Sequence, residues 1–357
     1  MRMSAVVGVV ALAAAACGDA PDEEESSGGD ASAEEQEESE PFQACAVLDV
    51  GGVDDRSFNQ SAWKGMEDAA ASGDNIEVDY VESQSDADYV PNLTQQAESC
   101  DAVIAVGGLL ASAVSEVAPQ YPEVPFFQID APSGGIENVW GVTYYAEQSA
   151  FLGGYLAAAI SETGVVSTYG GLNIGRPVTG YMEGYRLGVE YYNEQKGEEV
   201  QLLGWNGSDG EFAESFTDPA AGRALTEAFV SQGADVVFPV AGGAGTGSFT
   251  AAEAGGGELA VIWVDFPGCE FYAEYCSYIP TSVTKAIPAH VEQFVTEAAA
   301  GEAPSGDLEG TLENEGTGIT DFGEWDSQIT DETKSELDEI RQGIIEGSIE
   351  VPPVQGG

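Results

Sequence analysis

Apolar residues follow two alternating rhythms along this chain. Short β-branched and aliphatic runs at 44–50, 76–81, 102–106, 124–129, 139–142, 165–169, 200–205, 236–240, 260–264 and 277–279 predict strands, several of them covered on both faces. Helical periodicity at 60–72, 86–99, 109–120, 146–162, 178–195, 219–232, 246–254, 285–299 and 331–346 fills the intervals and the end. Strand, helix, strand repetition predicts an α/β protein with parallel sheets and helical crossovers. The series breaks near 139–146 and restarts at 165, so two similar Rossmann-like lobes are expected. Lobe 1 would take 42–145 plus about 280–325, and lobe 2 would take 146–279 plus about 326–357. Open parallel sheets bind ligands beyond the carboxyl ends of their strands, so two facing lobes would share one cleft.

A different pattern precedes position 42. Met1, Arg2 and Met3 lead into an apolar run at 5–16, followed by Cys17 and Gly18. The run is too short to span a bilayer and fits a signal peptide over 1–17. Small residues Ala14, Ala15 and Ala16 before Cys17 resemble a bacterial lipobox, which would make Cys17 the lipidated N-terminus of an extracytoplasmic protein. Ordinary cleavage at an Ala-x-Ala site is the alternative. Segment 18–41 has no aliphatic residue larger than Ala and no Lys or Arg, the composition of an extended, self-repelling acidic linker. Beyond Cys17, an even set of cysteines remains: Cys45, Cys100, Cys269 and Cys276. Export permits disulfides. Cys269 and Cys276 enclose a segment that a bridge would pin as a loop, and Cys45 and Cys100 each lie near the start of a predicted strand. The pairing is read that way, with four reduced thiols as the alternative.

Composition narrows the function. With 63 Asp plus Glu against 10 Lys plus Arg, the formal charge of −53 leaves no basic surface for nucleic acid. At 43% hydrophobic residues the chain can still bury a core. The acids are spread along the whole chain, which favours a surface adapted to concentrated salt over a dedicated cation-binding face. His290 is the single histidine, so multi-His metal sites are excluded and a His-dependent hydrolase has only that residue to use. No metal and no cofactor is expected.

The predicted strand ends carry the polar chemistry. After the first comes the run Asp49-Val50-Gly51-Gly52-Val53-Asp54-Asp55-Arg56-Ser57-Phe58-Asn59, leading into a helix. Glycines admit a ligand close to the backbone, Asp55 and Asn59 can hydrogen-bond it, and Phe58 offers a flat face. Helix capping by Ser57 or Asn59 explains the same letters equally well. Gly107 and Gly108, then Asp130, then Gly242, Gly243 and Gly245, then Asp265 follow later strands. None forms a phosphate loop or dinucleotide fingerprint. A neutral, hydroxyl-rich ligand with a flat ring fits best.

The run Asp54-Asp55-Arg56-Ser57-Phe58-Asn59-Gln60-Ser61-Ala62-Trp63-Lys64-Gly65 makes the resemblance specific. With Phe151-Leu152-Gly153-Gly154-Tyr155-Leu156-Ala157, Asp218-Pro219-Ala220, Gly233-Ala234-Asp235 through Gly242-Gly243, and Thr281-Ser282-Val283, it resembles the BMP (basic membrane lipoprotein) family over about 44–299. That family consists of lipid-anchored substrate-binding proteins of ABC transporters, several of which bind purine nucleosides. The resemblance implies a type I periplasmic-binding-protein fold, permease and ATPase partners, and no chemistry. It further implies that Asp55 and Asn59 bond the ligand, Phe58 stacks on it with Phe238 as the opposing aromatic, Gly243 leaves it room, Asp265 holds ribose hydroxyls and Lys285 closes the cleft near the hinge. Family members often carry His where this chain has Pro239, and a second acid where it has Phe266-Pro267-Gly268-Cys269. A purine nucleoside is the expected ligand, with a sugar or a vitamin as the alternatives. The aromatic group Trp263, Phe266, Phe271, Tyr272 and Tyr275 reads either as a second wall or as a structural patch. A surface receptor without a transporter shares every one of these features, and a nucleoside or glycoside hydrolase using Asp55 and Asp265 is the reading from a different class.

Overall fold

The computed structural model describes residues 40–53, 57–72 and 75–354; the leader, the lipobox with Cys17, nearly all of the linker, and Asp54, Asp55 and Arg56 lie outside them. Elements run in the order β1 (Phe42–Leu48), α1 (Phe58–Ser72), β2 (Ile76–Glu82), α2 (Tyr89–Ser99), β3 (Ala102–Val106), α3 (Ala111–Val117), β4 (Phe126–Ile129), β5 (Val139–Tyr144) and α4 (Ala146–Ile160). Next come β6 (Val165–Gly170), α5 (Arg176–Lys196), β7 (Gln201–Leu203), α6 (Pro219–Val230), β8 (Val236–Val240), α7 (Gly247–Ala254), β9 (Ala260–Val261) and β10 (Trp263–Asp265). The chain finishes with α8 (Gly268–Phe271), β11 (Ser282–Lys285), α9 (Ile287–Ala299), β12 (Gly306–Gly310), β13 (Thr317–Ile319) and α10 (Asp331–Ile345).

Two parallel sheets dominate. The first has order β12-β5-β4-β3-β1-β2 and the second β7-β6-β8-β9, while β10-β11-β13 form a small third sheet whose last pair is antiparallel. Period-two alternation splits each central strand between two cores. From β3, Ala102, Ile104 and Val106 enter one apolar cluster with α1 and α9, while Val103 and Ala105 enter another with α2 and α3. In β8, Val236, Phe238 and Val240 face α5, while Val237 faces the aromatic cluster around Phe249 and Trp263. Both faces are buried, and the strands read as unbroken apolar runs for that reason.

Helix α4 is buried on nearly every side, between α5, α10 and strands β11 and β13. Its Gly153-Gly154 pair is a packing device: a Cβ on Gly154 would sit 2.0 Å from the Tyr185 carbonyl of α5. Asp218 caps α6 by accepting from the Ala220 amide at 2.9 Å, with Pro219 at the first helical position. The chain crosses between the first sheet and the other two at Tyr145, at Ala286 and between β12 and β13. These crossings are stitched together by Tyr145 N–H to Gly310 O at 2.8 Å, Ala286 N–H to Gly316 O at 2.9 Å and a Ser149–Thr317 hydroxyl contact. Of the segment 280–325, α9 and β12 join the first sheet, whereas β11 and β13 pair with β10.

Three expectations are corrected. Residues predicted as a strand at 277–279 end a 3-10 helix, Ala273–Tyr278, because the short bridged loop between Cys269 and Cys276 leaves no extended run. The strand predicted over 260–264 divides at Ile262, where the chain passes from the second sheet to the third. Lys285, expected to open a helix, is the last residue of β11. Disulfides join Cys45 to Cys100 and Cys269 to Cys276, with Cα separations of 6.1 and 5.1 Å.

Candidate functional site

A cavity lies at the carboxyl ends of the two parallel sheets. Each sheet offers it a topological switch point, the place where neighbouring strands leave in opposite directions and a crevice opens. In the first sheet that point falls between β1 and β3, which deliver Asp49 and Gly107; in the second it falls between β6 and β8, which delivers Val240, Gly242 and Gly243.

Asp49 is held from two sides. Its Oδ1 accepts from Asn59 Nδ2 at 2.7 Å and from the Gly51 amide at 3.1 Å. Burial pushes its carboxyl above the ordinary range, and those two bonds pull it back. Gly107 makes the close approach possible: its φ of +112° lies where side chains are strained, and a Cβ would sit 3.1 Å from Asp49 Oδ2. Buried Gln128 fixes this turn by donating from Nε2 to the Gly107 carbonyl at 2.9 Å and to the Ile129 carbonyl at 2.8 Å.

Asp130 and Asp265 are counterparts. Asp130 directly follows β4, Asp265 ends β10, and both adopt left-handed backbone, with φ of 61° and 67°. Such conformations are uncommon for Asp and concentrate at binding sites. Lys285 sits between them at a chain crossing, its Nζ 2.7 Å from Asp130 Oδ2 and 3.4 Å from Asp265 Oδ1. Its side chain is only 3% exposed. Burial alone would depress the Lys285 pKa, but Asp130 and Asp265 together lift it above the ordinary value, so the ammonium stays charged. Asp130 is pushed up by burial and drawn down by Lys285. Tyr181 donates to Asp265 Oδ1 at 2.9 Å, and burial, reinforced by Asp265 and Asp130, keeps its phenol protonated. The Lys285 ammonium also lies 5.3 Å from the Phe58 ring and 5.0 Å from the Tyr181 ring.

Of the sequence candidates, the structure brings together Phe58, Gly108, Asp130, Gly243, Asp265 and Lys285 in the cavity wall. Asn59 is buried and reaches the site through Asp49 rather than as part of the wall. Phe238 is corrected: it is fully buried mid-strand, two residues short of the β8 end, packed at 5.9 and 5.2 Å against Tyr181 and Tyr185. Phe216, from the loop before α6, supplies the second phenyl ring of the wall instead. Asp49, Tyr181 and Phe216 were missed. Asp49 opens the run after the first strand but takes no role in the sequence reading, the predicted strand running through it to 50 where β1 stops at Leu48; Tyr181 lies within a helix; Phe216 is in a loop with no strand-end signal. The aromatic group near the Cys269–Cys276 loop is largely core: Trp263 stacks on Phe249 at 4.8 Å, and Phe266 and Tyr272 are buried beside them. Tyr272 and Tyr275 also border a second cavity.

The family model described as ABC transporter substrate-binding protein PnrA-like (Bmp) matches residues 42–355. The chain belongs to the Bmp family. Among the relatives of this Bmp protein is the CD4+ T-cell-stimulating antigen of Listeria monocytogenes, 29% identical over 88% of this chain and 89% of that one. The ABC transporter nucleoside-binding protein BmpA of Lactococcus lactis subsp. cremoris is 28% identical over 87% and 89%. Among solved structures, an ABC transporter solute-binding protein from Aeropyrum pernix K1 superposes with a TM-score of 0.80 at 26% identity, covering 88% of this chain and 94% of that one. This Bmp protein thus has the type I periplasmic-binding-protein fold and is an ABC transporter substrate-binding protein, a family of solute binders that deliver a small molecule to a permease.

Proposed function

We propose that this Bmp protein captures a purine nucleoside between two lobes and hands it to its permease without altering it. One observation carries the reading. A single cavity combines two phenyl rings, Phe58 at the start of α1 and Phe216 in the loop before α6, with three carboxylates, Asp49, Asp130 and Asp265, and one ammonium, Lys285. Rings of that kind take the face of a base, and carboxylates accept from ribose hydroxyls and ring N–H groups. Three acids against one cation disfavour a phosphorylated ligand. The nucleoside-binding BmpA relative supports the same class.

Lobe 1 is assigned β1–β5, α9 and β12, and lobe 2 the remainder from α4 onward, with the three stitched crossings as hinge. Asp130 belongs to the first and Asp265 to the second, so a ligand touching both favours the closed arrangement, the differential affinity that a population shift requires. Asp55, which lies outside the described residues, is proposed as a ligand contact on the family resemblance alone. Lipidation of Cys17 would tether the protein to the outer face of the cell membrane, with 18–41 as spacer. The test is thermal unfolding of the full chain in molar salt, with a panel of purine and pyrimidine nucleosides, sugars and vitamins. A rise in Tm confined to purine nucleosides supports the reading; a rise with a sugar or vitamin alone replaces the ligand and keeps the fold.

A further inference from the structure

A second cavity adjoins the first. The two share Gly51, Phe216 and Gly243, so the Phe216 ring stands at the boundary between them. Beyond that ring the wall changes character. Thr217, Thr246 and Thr250 present hydroxyls, Tyr275 presents a ring, and Glu274 presents a carboxylate. The Tyr275 ring is fixed, lying parallel to Phe249 at 4.8 Å with 6° between planes. The loop that carries Glu274 and Tyr275 is closed by the Cys269–Cys276 bridge. Thr246 spends its hydroxyl on the Gly243 carbonyl at 2.7 Å, but half-buried Thr250 and exposed Glu274 make no hydrogen bond or ion pair among the described residues. The bridged loop thus brings an acid, and α7 a hydroxyl, both without partners among the described residues, to the chamber that borders the ligand cavity at Phe216.

We infer that this outer chamber is a second subsite, and that the ligand is a nucleoside carrying a donor-bearing substituent, a hydroxylated or amine-ended arm, that runs past Phe216 to Thr250 and Glu274. The inference rests on the nucleoside reading of the inner cavity. A free Glu274 carboxylate can only accept, so it selects hydroxyl or ammonium donors and repels phosphate. The chamber's open side admits an arm that a fully enclosed cavity would reject.

Calorimetric titration of the full chain tests this with adenosine, N6-hexyladenosine, N6-(6-aminohexyl)adenosine, 5′-(6-aminohexylamino)-5′-deoxyadenosine and AMP. The expected result is that at least one amine-ended compound binds no more weakly than adenosine and more tightly than N6-hexyladenosine. Glu274→Gln should cost that compound about three- to fivefold, the range for a partly solvated charge pair, while leaving adenosine unchanged. Thr250→Val should act in the same direction. Adenosine binding with every armed compound rejected overturns the subsite, as does equal binding of the amine and hexyl compounds, indifference to Glu274→Gln, or AMP binding as tightly as the amines. If adenosine itself does not bind, the nucleoside reading fails first and the subsite falls with it.

Discussion

The two sheet ends that meet at the cavity contribute unequal chemistry. From the first sheet come Asp49, Asp130 and Phe58, with Asp49 and the Gly107 turn braced by Asn59 and Gln128. The second side gives mainly apolar surface, from Ile174, Pro177, Val178, Phe216 and Val240, with Asp265 and Tyr181 as its polar pair. Buried polar groups are costly unless their geometry is set in advance, so hydrogen-bond recognition belongs to the side that is already braced. The apolar side gains most simply by excluding water. On the proposed nucleoside reading, the first sheet would supply most of the hydrogen-bond recognition and the second, Asp265 apart, would mainly cover the ligand.

Removing what joins the two sides has the largest expected effect. Lys285→Met leaves Asp130 and Asp265 buried without a cation and should cost about 3–5 kcal/mol, read as a lower Tm or denaturation midpoint. Adding Asp130→Asn should recover part of that loss. A single variant as stable as wild type would show that the two acids do not depend on the ammonium. Next, Asp49→Asn should weaken nucleoside binding about ten- to hundredfold, as expected for a buried charged hydrogen bond, while Phe216→Ala should cost only about three- to tenfold. Titration of both variants decides the asymmetry, and the reverse ranking would abolish it.

Acid sharpens the same contrast. Burial raises the pKa of Asp49 and of Asp130. Between the unfolded carboxylate value and the raised native one, the folded chain binds more protons than the unfolded chain. In that window these two groups make the unliganded fold more stable as pH falls, while the ligand loses its ionised acceptors and binds more weakly. Parallel melts and titrations across the window should move in opposite directions; affinity that holds steady while both acids protonate would remove them from recognition. The effect furthest from the ligand belongs to His290, held by burial at a pKa of about 4 and hydrogen-bonded through Nδ1 to the Tyr144 hydroxyl at 2.9 Å. Its folded pKa lies below the unfolded one, so its contribution is full above about pH 6.5 and fades toward pH 4. The slope stays below about 1.4 kcal/mol per pH unit, and His290→Phe should remove it from the stability profile.

How far the letters carried the fold depended on burial. Strands β3 and β8 match their predicted bounds because both faces are covered and the whole run must be apolar. Strands β11, β12 and β13 went unseen: Gly306–Gly310 and Thr317–Ile319 are short, polar or glycine-containing, and their pairing comes from distant partners. The site divided the same way. Asp130 and Asp265 stood out because an acid after an apolar strand needs partners, whereas the roles of Phe216 and Tyr181 arise only when a loop and a helix face are brought against the other sheet. Phe238 misled for a related reason: an aromatic near a strand end looks the same in sequence whether the cavity begins before it or after it.

One pairing sets the order in which the molecule can be made. Strand β12 closes the first sheet on β5, Gly306 opposite Trp140, although about 165 residues separate them in the chain. A vectorially exported chain would present β1–β5 and their helices outside the membrane long before that edge arrives. Until then β5 exposes an unpaired flank, a docking line for stray strands. At low ionic strength the dense like charge of this chain would keep such half-finished molecules apart, whereas in concentrated salt that repulsion is screened and the open edge must be protected by rapid folding or by other factors.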